Sequence, residues 1–226
     1  MKKLIITLLS ALLLAGAMAS AQAPNFRVAV QGGYGYRLGK VQETGQAIVD
    51  QHNQKLKWGF VYGADATWYF SDAFGIGLKF NDMRSKSEDA VTITPADGSA
   101  SRSGMYRDVV DMRFMGAMAS SRLVSGEGRL IWMMNYGLGY LSYVDNGRVI
   151  DPMSIKGGTL GACLDAGVDF RLMNNLYLGA SISAIGGTLT TYQVTQDGRT
   201  ETIKGDKDEY ETLHHLTATV GLRLYL

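Results

Sequence analysis

Residues 58–70 read WGFVYGADATWYF. Apolar side chains, from Trp58 to Phe70, occupy every second position, and the positions between them hold residues such as Gly63 and Asp65. Successive side chains of a β-strand point to opposite faces, so this period of two predicts a strand. One face of that strand is apolar, and the other is small or polar.

The same alternation recurs along the chain and predicts eight strands. They cover residues 26–38, 58–70, 74–81, 110–118, 130–140, 160–172, 176–185 and 215–226. Short connections at 71–73, 123–128 and 173–175 alternate with long ones at 39–56, 84–106 and 188–210 and a moderate one at 145–157. All long loops therefore share one end, which is typical of an eight-stranded antiparallel transmembrane up-and-down β-barrel.

The residue types on the two faces indicate which face is outside. A soluble barrel or sandwich would turn the bulky apolar face inward, but eight strands enclose a narrow space that suits small residues and paired charges better. We therefore expect the apolar face to meet lipid and the charged face to form a network in the lumen. The predicted lumen charges are Arg27, Asp65, Lys79, Asp111, Arg113, Asp165, Asp169, Arg171 and Arg223.

Aromatic residues cluster near strand ends, as in the interfacial girdles of membrane barrels. The girdle predicted at the long-loop end contains Tyr34, Tyr36, Trp58, Phe60, Tyr62, Tyr136 and Tyr140. The girdle predicted at the short-turn end contains Phe26, Trp68, Phe70, Phe74, Trp132 and Phe170.

The N-terminus has the three parts of a secretory signal. Lys2 and Lys3 precede an apolar run over residues 4–18, and small residues follow at 19–23. We predict a signal peptide over residues 1–21, cleaved after Ala21, and a barrel domain over residues 22–226. Cleavage after Ala23 would leave essentially the same mature chain.

The last seven residues, Val220-Gly221-Leu222-Arg223-Leu224-Tyr225-Leu226, read as a closing strand. With the signal and the eight strands, they resemble the small outer-membrane β-barrel family of OmpX- and OmpW-like, porin-family proteins. The resemblance covers the whole mature chain and implies the outer membrane of a Gram-negative bacterium, with the last strand recognised by the barrel-insertion machinery. The family commonly ends in an aromatic residue, whereas here Tyr225 is penultimate.

Composition excludes several other functions. In 226 residues, 22 Lys and Arg balance 21 Asp and Glu, so we expect no nucleic-acid partner. The single cysteine, Cys163, forms no intramolecular disulfide, and the three histidines show no metal-ligand spacing, so we expect neither metal nor cofactor.

We expect no enzymatic activity. The alternative is a lipid A-modifying barrel enzyme, for which the only suggestive cluster contains Glu211, His214, His215 and Thr217. Of these, Glu211, His215 and Thr217 share parity and could lie along one face.

The predicted function is structural or surface-recognising, without an open pore. We expect Asp65, Lys79, Asp111 and Arg113 to form a network across the lumen that blocks conduction. The long loops are expected to meet an unidentified extracellular ligand, and the protein to be a monomer surrounded by outer-membrane lipids.

An alternative is transport of small hydrophobic compounds through a lateral gap. It is suggested by an apolar lumen row that contains Ile131, Met133 and Leu141, beside Met115.

Overall fold

The structure is a computed structural model. It describes residues 25–39, 47–93, 102–125, 127–149, 151–196, 198–205 and 210–226, so the predicted signal peptide lies outside the described residues. The elements are β1 (Phe26–Arg37), α1 (Ala47–Lys55), β2 (Trp58–Tyr69), β3 (Phe74–Ile93), β4 (Arg102–Ser125), β5 (Leu130–Val149), β6 (Asp151–Met173), β7 (Leu176–Gly186), β8 (Thr188–Leu189), β9 (Thr191–Gln196), β10 (Arg199–Lys204), β11 (Glu211–Thr212) and β12 (His215–Tyr225).

Eight long strands form a closed antiparallel ring, in the order β1 to β7 followed by β12, which pairs with β1. Following paired residues once around the ring from Phe26 leads back to β1 at Tyr36, ten residues further along. The path passes through Trp68, Ile76, Ala119, Tyr136, Leu164, Ala184 and Leu216. This stagger over eight strands corresponds to a strand tilt of about 40°. The prediction of an eight-stranded antiparallel barrel is confirmed.

The described parts of three predicted connections, two long and one moderate, are mostly regular structure. Residues 84–106 continue the β3–β4 ladder as far as the pair Ile93 and Arg102, and residues 145–157 belong mostly to β5 and β6. Polar residues there hid the strands, because neither face is uniformly apolar. Residues 188–210 contain three short strands, and the fourth connection, 39–56, contains helix α1.

These longer strands project beyond the rest of the ring. β2 pairs with β3 no further than Arg84, and β7 ends at Gly186, whereas β9 and β10 join the sheet beside β6. We call this part the upper extension; it comprises residues 85–93, 102–110, 143–149 and 151–157 with β9 and β10. Helix α1 packs against β3. No helix among the described residues is long and apolar enough to cross a membrane.

The two faces of the wall differ as predicted on seven strands. Leu78 and Leu160, on the outside, are 68% and 75% exposed, whereas Asp169 and Arg223, on the inside, are fully buried. β4 is the exception.

On β4 the predicted faces are reversed. Val110, Met112 and Phe114 are buried in the lumen, and Arg113 is exposed on the outside. The upper lumen is apolar, so bulky residues mark the inside of the wall there. Ser120, which is buried, lies on the same face of β4 as these three residues. A polar residue on that face was the sequence signal that it points into the lumen.

The aromatic residues mostly take their predicted outward positions. Trp58, Phe60, Trp68, Phe70, Phe74, Trp132, Phe170, Tyr34, Tyr136 and Tyr140 are exposed. Tyr36 is partly covered by Trp58, at a ring-centroid distance of 4.9 Å. Because β5 continues to Val149, Tyr136 and Tyr140 both lie well below the end of this strand, and their place in a girdle stays a prediction.

Candidate functional site: the filled lumen and its cap

Four charged residues form an ion cluster in the lower lumen. Arg27 pairs with Asp65 and, through Nε, with Asp169 Oδ2 at 3.1 Å. Arg223 Nε lies 3.2 Å from Asp169 Oδ1, and Tyr225 Oη donates to Asp169 Oδ2 at 2.7 Å. All four charged side chains are buried, so each charge needs its partner.

The barrel wall itself supports this cluster. Arg223 Nη1 donates to the carbonyl of Gly179 at 2.8 Å, and Nη2 donates to Gln31 Oε1 at 3.0 Å. A Cβ at Gly179 would overlap Asp169 and Arg223. The absence of a side chain at this position therefore makes room for the ion pair.

A second buried pair lies higher in the lumen. Lys79 Nζ donates to Asp165 Oδ1 at 2.5 Å and to Ser183 Oγ at 3.1 Å. Asn135 Nδ2 and Cys163 Sγ also donate to the Asp165 carboxylate, at 3.3 and 3.0 Å. Cys163 is thus a polar member of this group.

Three of the predicted lumen charges lie elsewhere. Arg113 donates to Asp82 on the outer face of the wall, where Asp82 is covered by its partners and also accepts from Tyr62 Oη at 2.7 Å. Asp111 pairs with Arg84 at 3.4 Å. The predicted network through Asp111 and Arg113 is therefore wrong, because the inward face of β4 is the apolar one.

Arg171 lies at the short-turn end, where it donates to the carbonyl of Glu127 at 3.2 Å. It forms no ion pair with the lumen acids among the described residues. Arg171 occupies an inward-facing position of β6, as predicted, but it lies below the ion cluster.

Apolar side chains fill the lumen above the ion pairs. This upper cluster contains Leu56, Val61, Met83, Val110, Met112, Phe114, Leu141, Tyr143, Cys163, Ile185, Leu189 and Leu213. A smaller cluster closes the bottom with Ile131, Met133, Tyr177 and Tyr225. Of the predicted apolar row, Met115 is exposed on the outside, and Leu141 is separated from the two lower residues.

Helix α1 is held in the upper extension by His52, which sequence reasoning missed. Its Nδ1 lies 2.9 Å from Asp89 and its Nε2 lies 3.0 Å from Asp108, while the ring stacks on Tyr106 at 3.7 Å. Each ring nitrogen of His52 thus lies within hydrogen-bond distance of a different carboxylate. His52 is fully buried, and Lys55 adds a bond to Asp89 at 2.5 Å.

Acidic groups gather beside this helix. Tyr143 Oη donates to Asp145 Oδ2 at 3.2 Å, and Arg37 Nη2 donates to Glu211 Oε1 at 3.2 Å. Burial, together with the nearby charge of Asp108, raises the pKa of Asp145 to about 6. Burial also raises the pKa of Glu211. These residues stand in stretches whose composition is that of polar loops, so no sequence signal placed them together.

Of the four residues considered for catalysis, the three that share parity, Glu211, His215 and Thr217, do not form a nucleophile and base pair. His215 Nδ1 lies within hydrogen-bond distance of the Leu213 carbonyl oxygen, at 3.0 Å, and Glu211 pairs with Arg37. His215 Nε2 and Thr217 Oγ1 are buried without a hydrogen-bond partner. Activation of a hydroxyl nucleophile requires a hydrogen bond between these groups.

A barrel with an apolar exterior and a filled interior is suited to lipid surroundings. On β1, the ten-residue rise from Phe26 to Tyr36 spans about 25 Å at this tilt, which matches the apolar band of outer-membrane barrels. The family described as outer membrane protein beta-barrel domain matches residues 7–223. The chain belongs to this family. It is an outer-membrane β-barrel of the Gram-negative type.

Solved structures of this barrel class have the same fold. Outer membrane protein OprG from Pseudomonas aeruginosa is 9% identical, with a TM-score of 0.58, and the match covers 90% of this chain and 97% of that one. Neisserial surface protein A is 12% identical, with a TM-score of 0.53 and coverage of 91% and 99%. A major outer membrane protein from Thermus thermophilus is 15% identical, with a TM-score of 0.54 and coverage of 89% and 99%. A comparison with curated proteins found no match.

Proposed function

We propose that this barrel is a closed, noncatalytic outer-membrane protein whose upper extension acts at the cell surface. The observation that supports this proposal is the filling of the lumen. Ion pairs around Asp169 and Asp165 occupy its lower and middle parts, and the apolar cluster around Phe114 and Leu141 occupies its upper part. A hydrated ion has no continuous polar path through such a stack.

Conductance tests the closed lumen directly. Purified protein in planar bilayers is expected to show no large, steady single-channel currents. The double variant Phe114→Ala and Leu141→Ala removes packing from the upper lumen and is expected to add small, brief leaks. The double variant Phe170→Ala and Leu138→Ala removes the same two side-chain types from the outer face and is the matched control. Large, steady currents from the unmodified protein would refute the proposal.

The upper extension supports the surface role, because in this barrel class the long connections are extracellular. β9 and β10 extend its sheet with mostly exposed polar side chains. Replacing residues 191–204 by a short Gly-Ser linker is expected to reduce attachment or serum survival while the barrel still shifts on unboiled gels. An unchanged phenotype in cells that assemble the variant normally would contradict a recognition role.

The remaining partners follow from the same proposal. The mature chain, exported by the predicted signal peptide, is inserted as a monomer through recognition of β12, and outer-membrane lipids cover its apolar band. Fractionation of the protein with the outer membrane, and N-terminal sequencing of the mature form, test these two points.

Transport of small hydrophobic compounds is a second candidate. A cavity of 650 Å³ lies at the wall where β5, β6 and β7 meet, lined by residues that include Leu138, Ala162, Ile185 and His214. Its size and apolar character suit a small ligand. Ala162→Trp would place a large ring in the cavity and obstruct it, so a transporter should lose uptake in this variant, whereas uptake by a closed barrel should be absent in both.

A further inference from the structure

A separate, smaller cavity lies where the upper extension meets β8 and β11. It has a volume of 130 Å³ and is lined by Tyr143, Ile155, Leu189, Tyr192 and Glu211. These residues come from five strands, β5, β6, β8, β9 and β11. Drug-sized pockets occupy about 300 Å³ or more, so this one accommodates a ligand of only a few heavy atoms.

The charge around the cavity is predominantly negative. Glu211 contributes a carboxylate to the lining, and its side chain is 43% exposed, so the acidic edge of the cavity reaches solvent. Asp145 accepts a hydrogen bond from the lining Tyr143 through Oδ2, while its Oδ1 is buried without a hydrogen-bond partner. Among the described residues, no cationic group lies within ion-pair distance of Asp145.

The neighbouring basic side chains already contact other acidic groups. Arg37 pairs with Glu211 and stands over the Tyr143 ring at 5.7 Å, and His52 lies between Asp89 and Asp108. One arginine, Arg37, thus stands near two carboxylates: Glu211, which lines the cavity, and Asp145, which lies behind the lining residue Tyr143. The second carboxylate leaves an excess of negative charge beside the cavity.

We propose that this cavity binds a small organic cation, an ammonium group that carries a few carbon atoms. Aromatic faces beside carboxylates attract such cations through the ring quadrupole and the charge together. Ile155 and Leu189 complete the lining with apolar groups, which suit methyl or methylene substituents better than a hydrated ion. A hard metal ion would require a cage of several oxygen ligands, and the lining supplies one carboxylate.

The site is independent of whether the lumen conducts. It lies where the upper extension meets β8 and β11, above the ion pairs that close the barrel, and the inference therefore goes beyond the proposed closed-barrel function. Its ligand chemistry also differs from that of the hydrophobic compounds considered for the 650 Å³ cavity.

Calorimetric titration of the full-length folded protein in detergent micelles tests the proposal. Tetramethylammonium is the probe, tert-butanol is a neutral molecule of similar size, and K⁺ is the inorganic cation. We expect saturable binding of one tetramethylammonium per chain and none of tert-butanol at the same concentration. Glu211→Gln and Asp145→Asn should each weaken binding about tenfold, and Tyr192→Leu several-fold.

Glu201→Gln, an exposed carboxylate on β10, is the matched control and should leave affinity unchanged. Retention of the heat-dependent gel shift shows that each variant is folded. Absence of saturable tetramethylammonium binding, equal binding of tert-butanol, tighter binding of K⁺, or undiminished affinity in the Glu211→Gln and Asp145→Asn double variant would each overturn the proposal.

Discussion

Gly179 shows how a single backbone position determines where buried charge can be placed. Its carbonyl accepts from Arg223, and its missing side chain leaves space for the Asp169 carboxylate. Buried ion pairs are costly when a partner is displaced, because the remaining charge lacks both water and a counter-ion. The stability of the lower lumen therefore depends on the lack of a Cβ atom at position 179.

Gly179→Ala is expected to lower the free energy of unfolding by about 3 kcal/mol, because the new Cβ displaces Asp169 from Arg223. Gly32→Ala is the matched control: its Cβ would meet Val61 O at 3.6 Å, an ordinary contact. Urea unfolding in detergent micelles measures both variants. Equal stability of the two would contradict the tight placement of the ion pair.

Asp145 gives a pH-dependent prediction. Its pKa of about 6 in the folded protein lies above that of the unfolded chain, so the folded state binds more protons between about pH 4 and 6, and this carboxyl destabilises the fold as pH rises through that window. Asp145→Asn should therefore stabilise the protein by roughly 1–3 kcal/mol at pH 8 and have little effect at pH 4. Unfolding titrations at both values measure the difference. Glu201→Gln should show no such pH-dependent gain, and a destabilised Asp145→Asn at pH 8 would contradict the assignment.

At the scale of elements, the sequence predicts the lower barrel well and the upper extension poorly. Where lipid covers one face and a narrow lumen the other, alternation is strict, as from Trp58 to Tyr69 on β2. Above that level both faces of β3 carry polar residues such as Ser87 and Glu88, so periodicity no longer reports strand structure. Parity alone predicts that Lys79 and Asp165 both face the lumen. The pairing of His52 with Asp89 and Asp108, in contrast, depends on how α1 packs against the sheet.

Helix α1 gives the prediction at this scale. Its attachment relies on His52, so His52→Leu should release the helix and increase the rate of tryptic cleavage at Lys55 and Lys57 several-fold while the barrel remains folded. His214→Leu, which changes an exposed histidine, should leave the rate unchanged. Limited proteolysis followed by mass spectrometry locates the cuts. Equal cleavage rates in the two variants would show that other contacts hold α1.

For the molecule as a whole, the type of side chain inside the barrel changes with height along the wall. The ion pairs occupy the lower and middle lumen, apolar packing occupies the upper lumen, and acidic groups lie in the upper extension. On the outside, the apolar surface ends where Asp82 and Arg113 pair with each other. The cost of an outward-facing charge should therefore depend on its height on this wall.

Leu78→Arg and Leu160→Arg compare two similarly exposed leucines at different heights. Leu78 lies near the middle of the apolar band, four residues above Phe74 and four below Asp82. Leu160 lies near the upper edge of the band, because the next outward-facing positions towards the upper extension are Gly158 and Lys156. Arginine at the midplane of a membrane barrel costs about 2–4 kcal/mol and near the interface about 0–1 kcal/mol. Unfolding in phospholipid bilayers should therefore show a much larger loss for Leu78→Arg, and the difference should shrink in detergent micelles, which adapt to the charge. Equal losses in bilayers would mean that lipid does not surround this wall as a band, because on a surface in contact with water the cost of an arginine would not depend on its height.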